Sequence, residues 1–166
     1  MTVIGDGAAW IWNIARDDFP GATQIVDLYH AREHLHSLTR SLEFMLLDRK
    51  DEWLAARLED LDYGYIEGIV AAARKYPLIG TKKDEVEREL GYFLNNAPRM
   101  RYHWFRQCGL FVGSGVVEAG CKSVIGQRCK QSGMHWTVNG ADAIIALRCA
   151  EAGSQWEATC NQAAAA

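Results

Sequence analysis

Three acidic residues and a pair of histidines stand where this sequence could do chemistry. Asp6 follows the β-prone pair Val3-Ile4 and is flanked by Gly5 and Gly7. A carboxylate at the C-terminal end of a strand projects into the crevice where α/β folds bind ligands, although Asp-Gly is also a common turn pair. Asp27 ends the run Thr23-Gln24-Ile25-Val26 and precedes Leu28-Tyr29-His30. It either caps the next helix or stands beside a site with His30. Glu118 lies near the start of a helix opened by Gly113-Ser114-Gly115. The helix dipole favours an acid there by about 0.3–1 kcal/mol without any function. It is also the only acid among six basic residues in the window 99–130. A carboxylate in such a positive field stays ionised and suits a divalent cation acting on phosphate. A competing pattern is His30-Ala31-Arg32-Glu33-His34, an H-x-x-E-H run. On a helix its two imidazoles share a face and suit zinc, with Glu118 available as a third ligand.

The elements that must position these residues follow from periodicity. Val3-Ile4 reads as the end of a strand. Residues 8–15 repeat with helical spacing and stop before Phe19-Pro20-Gly21. Thr23–Val26 reads as a second strand, so the opening is strand, helix, strand. From His30 to Asp48 the apolar residues keep a helical period, and residues 51–75 continue it, with Gly64 and Gly68 as weak points. Thr81 is expected to cap a helix over Lys82–Leu94, and Pro98 marks a break. A helix is expected over Val116–Lys130 and another over 139–152, with Ala141, Ile144, Ile145 and Leu147 on its core side.

The chain's 166 residues are 49% hydrophobic and 23% charged, enough apolar material for one folded domain. No run of about 18 apolar residues reads as a membrane span, and the first residues lack a secretory signal pattern. Five cysteines without a C-x-x-C pair fit reduced thiols in a cytosol better than a disulfide framework. A net charge of −3 argues on its face against a nucleic-acid partner. Its distribution argues the other way: residues 41–90 carry net −4, whereas residues 99–130 carry net +5 from Arg99, Arg101, Arg106, Lys122, Arg128 and Lys130 against Glu118. Placement matters more than the sum for a polyanionic partner.

Several segments together resemble one family. Ile4-Gly5-Asp6-Gly7-Ala8-Ala9-Trp10-Ile11-Trp12, Phe19-Pro20-Gly21-Ala22 and Ile25-Val26-Asp27-Leu28-Tyr29-His30-Ala31 are similar to the middle of a bacterial insertion-sequence DDE transposase. The group is that of the Kra-type insertion sequences, related to the Mutator-like transposases. Gly113-Ser114-Gly115-Val116-Val117-Glu118-Ala119-Gly120-Cys121-Lys122 and Arg128-Cys129-Lys130-Gln131-Ser132-Gly133-Met134-His135-Trp136 resemble that family's final-glutamate region. The blocks run in the family's order over nearly the whole chain.

The resemblance implies an α/β, here mostly helical, partial ribonuclease-H-like domain with an all-α insertion. Residues 1–30 would be a partial core, 31–112 the insertion, 113–152 the final catalytic and closing helices, and 153–166 a tail. It implies Mg²⁺- or Mn²⁺-dependent DNA strand cleavage and transfer, with Asp6 and Glu118 as catalytic metal ligands and Asp27 and His30 beside the site. Phosphoryl transfer of this kind runs mainly on positioning and charge stabilisation. The basic residues of 99–130 would contact DNA phosphates, and Trp104 and Trp136 would stack on bases or fill the core. A homo-oligomer is implied for the full-length protein, with a bacterial cytoplasmic, nucleoid-associated location. The family's first aspartate lies upstream of its D-G motif, and five residues precede Asp6 here. The chain is therefore expected to be a C-terminal piece without strand-transfer activity of its own. Two alternatives stand beside this one. They are a zinc metallohydrolase built on His30, Glu33 and His34, and a non-catalytic helical module that binds DNA or protein.

Overall fold

A computed structural model describes residues 1–164, all but 116, 117 and 162–164 with their side chains. The chain is mostly helical, with one small parallel sheet. It divides into two compact units, Met1–Ser114 and Gly115–Ala166. Among the described residues no helix is long and apolar enough to cross a membrane.

In the first unit, β1 (Thr2–Gly5) and β2 (Thr23–Val26) pair in parallel, with Gly5 opposite Val26. Parallel neighbours need a crossover, and α1 (Ala9–Asp18) supplies it. The strand–helix–strand expectation holds with the expected stop before Pro20. Two strands alone are marginal in water, so the pair depends on the helices that follow. These are α2 (Leu28–Ser41), a short α3 (Glu43–Leu46), α4 (Lys50–Tyr63), α5 (Ile66–Ala73), α6 (Gly80–Asn96) and α7 (Tyr102–Gln107). Leu28, Ala31, Leu35 and Leu38 make one apolar stripe of α2, continued by Leu42, and all five are buried. Ile25 and Val26 join Leu90, Phe93, Met100 and Tyr102 in the same core. The helical stretch 31–112 therefore closes over residues 1–30 in one unit.

A buried hydrogen bond fixes α1 on α6: Trp12 Nε1 donates to Asn96 Oδ1 at 3.1 Å, and Asn96 Nδ2 donates to the Tyr92 carbonyl at 3.1 Å. Arg99 stacks over the Trp12 ring, 4.9 Å from its centroid, and its Nε donates to Gln24 Oε1 at 2.8 Å. One side chain thus ties β2, α1 and the end of α6.

Several expected boundaries move, for local reasons. The stretch 51–75 breaks at Gly64, which closes α4 in the left-handed region at φ 81°. A Cβ there would come within 2.9 Å of the Met100 carbonyl and the Arg101 backbone, so the close approach requires glycine. The helix expected to run to Asp48 stops at Ser41, and α3 and a 3₁₀ turn (Leu47–Arg49) replace its end. Thr81 does not cap α6; the helix begins at Gly80, which places Thr81 inside its first turn.

The second unit contains α8 (Gly115–Gly120), a π-helical turn (Cys121–Gly126), α9 (Gln127–Cys129), α10 (Val138–Ala152) and α11 (Trp156–Ala164). The expected helix over 116–130 is thus present, with its middle widened. Arg148 reaches back from α10 to this turn, donating through Nε to the Val124 carbonyl at 2.9 Å and through Nη2 to the Ser123 carbonyl at 2.6 Å. Thr137 caps α10 by accepting from Gly140 N–H at 3.1 Å. Of the expected core side of α10, Ala141, Ile144 and Ile145 are half-buried, while Leu147 is exposed; Ala150 is the buried residue. Residues 153–166, expected as a tail, contain α11, whose alanines, Glu157 and Gln162 are good helix formers.

The Asp27 carboxylate is 2% exposed and caps α2. Replacing it with alanine strips buried donors of their acceptor, and Asp27→Ala is expected to cost about 1–3 kcal/mol in urea denaturation. Burial pushes this carboxyl up, but hydrogen bonds from the Ser114 hydroxyl and amide and from the Tyr29 and His30 amides outweigh it and hold it below its ordinary value of 3.8. A carboxyl lowered by folding contributes stability above its unfolded value, and that stability disappears as pH falls through the folded value. Melting followed from pH 6 down to pH 2 is therefore expected to show a loss below about pH 4 that is smaller in Asp27→Ala, where other lowered carboxyls such as Glu67 still contribute.

Candidate active site at the carboxyl ends of the strands

Asp6 and Asp27 each follow the last residue of a strand, and the two strands are neighbours. Asp27 N–H donates to the Gly5 carbonyl at 2.7 Å, so the chain stays paired one residue beyond β2. The two carboxylates then part in role. Asp6 is exposed and its Oδ1 accepts from Ala8 N–H at 2.8 Å. This is an Asx turn, so the turn reading and the crevice position are both realised. Asp27 is buried and committed: Oδ1 accepts from Tyr29 N–H at 2.7 Å and His30 N–H at 3.3 Å, and Oδ2 accepts from Ser114 N–H at 2.5 Å. The capping alternative for Asp27 is therefore the realised one, extended by a long-range bond to Ser114.

An open cleft of about 350 Å³ lies at this edge, lined by Asp6, Gly7, Ala8, His30, His34 and Tyr92. His30 and His34 come from one face of α2, one turn apart. His30 Nδ1 lies 3.1 Å from Glu33 Oε2. His34 Nδ1 lies 2.6 Å from Glu89 Oε2, and its ring stacks on Tyr92 with centroids 3.5 Å apart and planes 19° apart. Tyr92 Oη donates to the Asp6 main-chain carbonyl at 3.0 Å. Burial, and then the negative charges of Asp6, Asp27, Glu89 and Glu33, push the Tyr92 phenol well above its ordinary value. It stays a neutral hydrogen-bond donor.

Glu89 and Tyr92 are the site residues that motif reasoning missed. One signal was available: Glu89 sits on the apolar face of α6 between Val86, Leu90 and Phe93, and it is 8% exposed. A carboxylate on a buried stripe needs a partner, and His34 is that partner.

The remaining expected site residues are distributed differently from the sequence reading. Glu118 belongs to the second unit, in the first turn of α8, and lines a pocket there with Cys121, Lys122 and Lys130. Lys122 and Lys130 are exposed, and Arg128 lies over the Trp136 ring at 5.8 Å. The three basic residues of the first unit are engaged within it. Arg99 is held by Gln24 and Trp12 as described, and burial lowers it from its ordinary value. Arg101 makes a two-pronged ion pair with Glu67 and donates to the Gly64 carbonyl at 2.6 Å. The hydrogen bonds from Arg101, then one from its own backbone, lower the Glu67 carboxyl to about 2. Arg106 donates to the Asp62 carbonyl at 3.1 Å and lies 3.6 Å from the Asp62 carboxylate. Residues counted from charge alone as phosphate contacts here close loops of their own fold. Trp104, weighed as a core residue, is 56% exposed.

The Nδ1 atoms of His30 and His34 each face a different glutamate. Among the described residues no group of three or more His, Cys, Asp or Glu side chains is arranged to hold a metal ion. Comparison with protein-family models, with curated proteins and with solved structures finds no match to this chain.

Gly7 makes the cleft possible. Its φ is 99°, and a Cβ would fall 2.7 Å from the Tyr92 ring. Gly7→Ala is expected to cost about 1–3 kcal/mol in chemical denaturation. In the double variant Gly7→Ala/Tyr92→Ala the steric part should vanish while the backbone part persists. A double variant whose loss equals the sum of the single losses would show that the ring and Gly7 do not interact.

Proposed function

We propose that the chain forms part of the catalytic region of a DDE-type DNA transposase, an enzyme that cuts and joins DNA strands. One observation carries the reading: the Asp27–Ser114 hydrogen bond joins the end of β2 to the Gly-Ser-Gly segment 87 positions later. Asp6, Asp27 and Ser114, each from a sequence block that carries the family resemblance, thereby lie at one edge of the sheet. Ligands of α/β folds bind at this edge. A βαβ unit followed by helices is also compatible with a partial ribonuclease-H-like core carrying an all-α insertion.

Within the first unit the donors do not fit a magnesium ion. Magnesium takes oxygen ligands in octahedral geometry. Asp27 has its carboxylate oxygens on backbone amides, and the neighbours of Asp6 in the cleft are imidazoles and a phenol. Asp6 and Glu118 are the acidic residues that the resemblance nominates for Mg²⁺ or Mn²⁺. DNA backbone contacts fall to Lys122, Arg128 and Lys130, since Arg101 and Arg106 are balanced by Glu67 and Asp62.

The test is binding of a short DNA duplex, followed by fluorescence anisotropy across a salt series with and without Mn²⁺. Affinity is expected to fall with salt, and the salt slope to shrink by about 1 for each of Lys122→Ala and Lys130→Ala. Arg101→Ala should leave the slope unchanged. Asp6→Ala and Glu118→Ala test the metal requirement that the resemblance implies: a Mn²⁺-dependent part of the affinity that each substitution removes would support it. Binding that ignores Mn²⁺ and survives both acidic substitutions would favour the non-catalytic helical module. No binding at low salt would overturn a DNA role altogether.

A further inference from the structure

We propose that the groove between α1 and α6 is a phosphate-binding site of the first unit, with Arg99, Arg16 and the side-chain amides of Asn13 and Asn95 as its donors. It adjoins the Asp6 cleft at Gly7 and Tyr92 but is built of different chemistry. It stands without the DNA reading, whose contacts are assigned to the second unit.

The groove has a volume of about 420 Å³. One wall is α1, with Trp12, Asn13 and Arg16. The other is the end of α6 and the 3₁₀ turn after it (Ala97–Arg99), with Asn95, Asn96 and Arg99. Arg99 is the anchor. It closes its loop through Gln24 and Trp12 yet keeps its charge. Nε donates to Gln24 and Nη1 donates to the Asn95 carbonyl at 3.3 Å, both uncharged acceptors. Among the described residues no carboxylate pairs with it, and burial is what lowers it from its ordinary value. Arg101 and Arg106, by contrast, have Glu67 and Asp62. A half-buried cation without a counter-charge costs free energy that a bound anion recovers. The Nη2 group of Arg99 makes no hydrogen bond among the described residues and can donate to such an anion.

Arg16 adds a second guanidinium from the opposite wall. Its Nη2 donates to Asn13 Oδ1 at 3.1 Å, which leaves Asn13 Nδ2 as a donor. Its acid is the next residue, Asp17, 3.3 Å from Nε, with side chains 66% and 67% exposed. Water screens a pair of this kind, so little of the Arg16 charge is neutralised. The Asn95 side chain is exposed and makes no hydrogen bond among the described residues. The donors therefore come from both walls and from separate side chains. A tetrahedral phosphate, with acceptor oxygens on several sides, uses such a set, whereas one guanidinium fork satisfies a planar carboxylate. Trp12 is buried and Arg99 covers its ring, so the groove offers no platform for a base. It recognises the phosphate, not the nucleoside.

The site is tested on the ¹⁵N-labelled full chain. Arginine Nε–H and asparagine side-chain signals are followed during titration with sodium phosphate, against sodium chloride at equal ionic strength, with Arg99 assigned by Arg99→Gln. Saturable shifts are expected at Arg99 and Asn95, with the ion-paired Arg101 unmoved. Arg16→Gln should weaken the apparent affinity about tenfold, the loss of one charge-assisted hydrogen bond. Asn95→Asp, which puts a negative charge on the α6 wall, should abolish the saturable shifts. Both positions are exposed, so far-ultraviolet circular dichroism should stay native. A second titration, with a short oligothymidylate, separates the sources. Shifts of the same signals at lower concentration than phosphate requires would assign the groove to a nucleic-acid backbone, and weaker or absent shifts would assign it to a free phosphate compound. Chloride reproducing the phosphate shifts, or shifts that survive Asn95→Asp, overturns the proposal. Loss of duplex binding through Lys122 and Lys130 would overturn the DNA reading and leave this site standing.

Discussion

The buried Asp27 carboxylate is the constraint on which the first unit depends. Two strands and a crossover helix cannot bury enough surface to persist alone. The chain must leave β2, build a helical cover and return. Asp27 acts at both ends of that excursion. It caps α2 where the helices begin and holds Ser114 N–H where they end, and Leu28 N–H donates to the Val112 carbonyl at 2.9 Å beside it. A buried carboxylate is costly unless its oxygens are satisfied. Here backbone amides from two distant segments satisfy them, so the excursion and its closure are coupled through one side chain.

That coupling explains the division of labour between the two strand-end aspartates. Buried by Leu28 and its neighbours, Asp27 serves the fold. Asp6, one strand over, is left facing solvent, where its main-chain carbonyl holds Tyr92 and its side chain closes a tight turn. Tyr92 in turn is the floor against which His34 stacks. The cleft is therefore assembled from β1, α2 and α6; α6 is held there by its packing on α2 through His34, Glu89 and Tyr92 and by the Trp12–Asn96 hydrogen bond to α1.

Charge tells a similar story. The excess of basic residues between 99 and 130 is a fact of composition, but a guanidinium in a fold takes the nearest good acceptor. Arg101 and Arg106 follow α5 and α4 in sequence by dozens of residues, yet they find Glu67 and Asp62 because Gly64 lets the chain at Met100–Arg101 approach within contact. Their positive charge is thus consumed at helix ends. Lys122 and Lys130, by contrast, stay exposed at a pocket that also contains Glu118.

Local pattern was enough to read the two strands, the crossover helix, the α2 stripe and the stop at Pro20, because each depends on neighbours within a few residues. Asp6 and Asp27 were legible as strand-end acids for the same reason. The choice between cap and site for Asp27 was not, since it turns on Ser114. Glu89 carried a local signal only as an acid on an apolar stripe, and its partner lies 55 residues away. The break at Gly64, the pinning of Arg99 by Gln24 and Trp12, and the π-helical turn answered by Arg148 likewise depend on groups far apart in sequence. Sequence alone determined most of the helical segments before residue 153, though not their breaks, and which residues carry chemical potential, because propensity and periodicity are short-range. Tertiary structure decided which of those residues are spent on the fold and which face a cleft, because burial and hydrogen-bond pairing are settled only when distant segments meet.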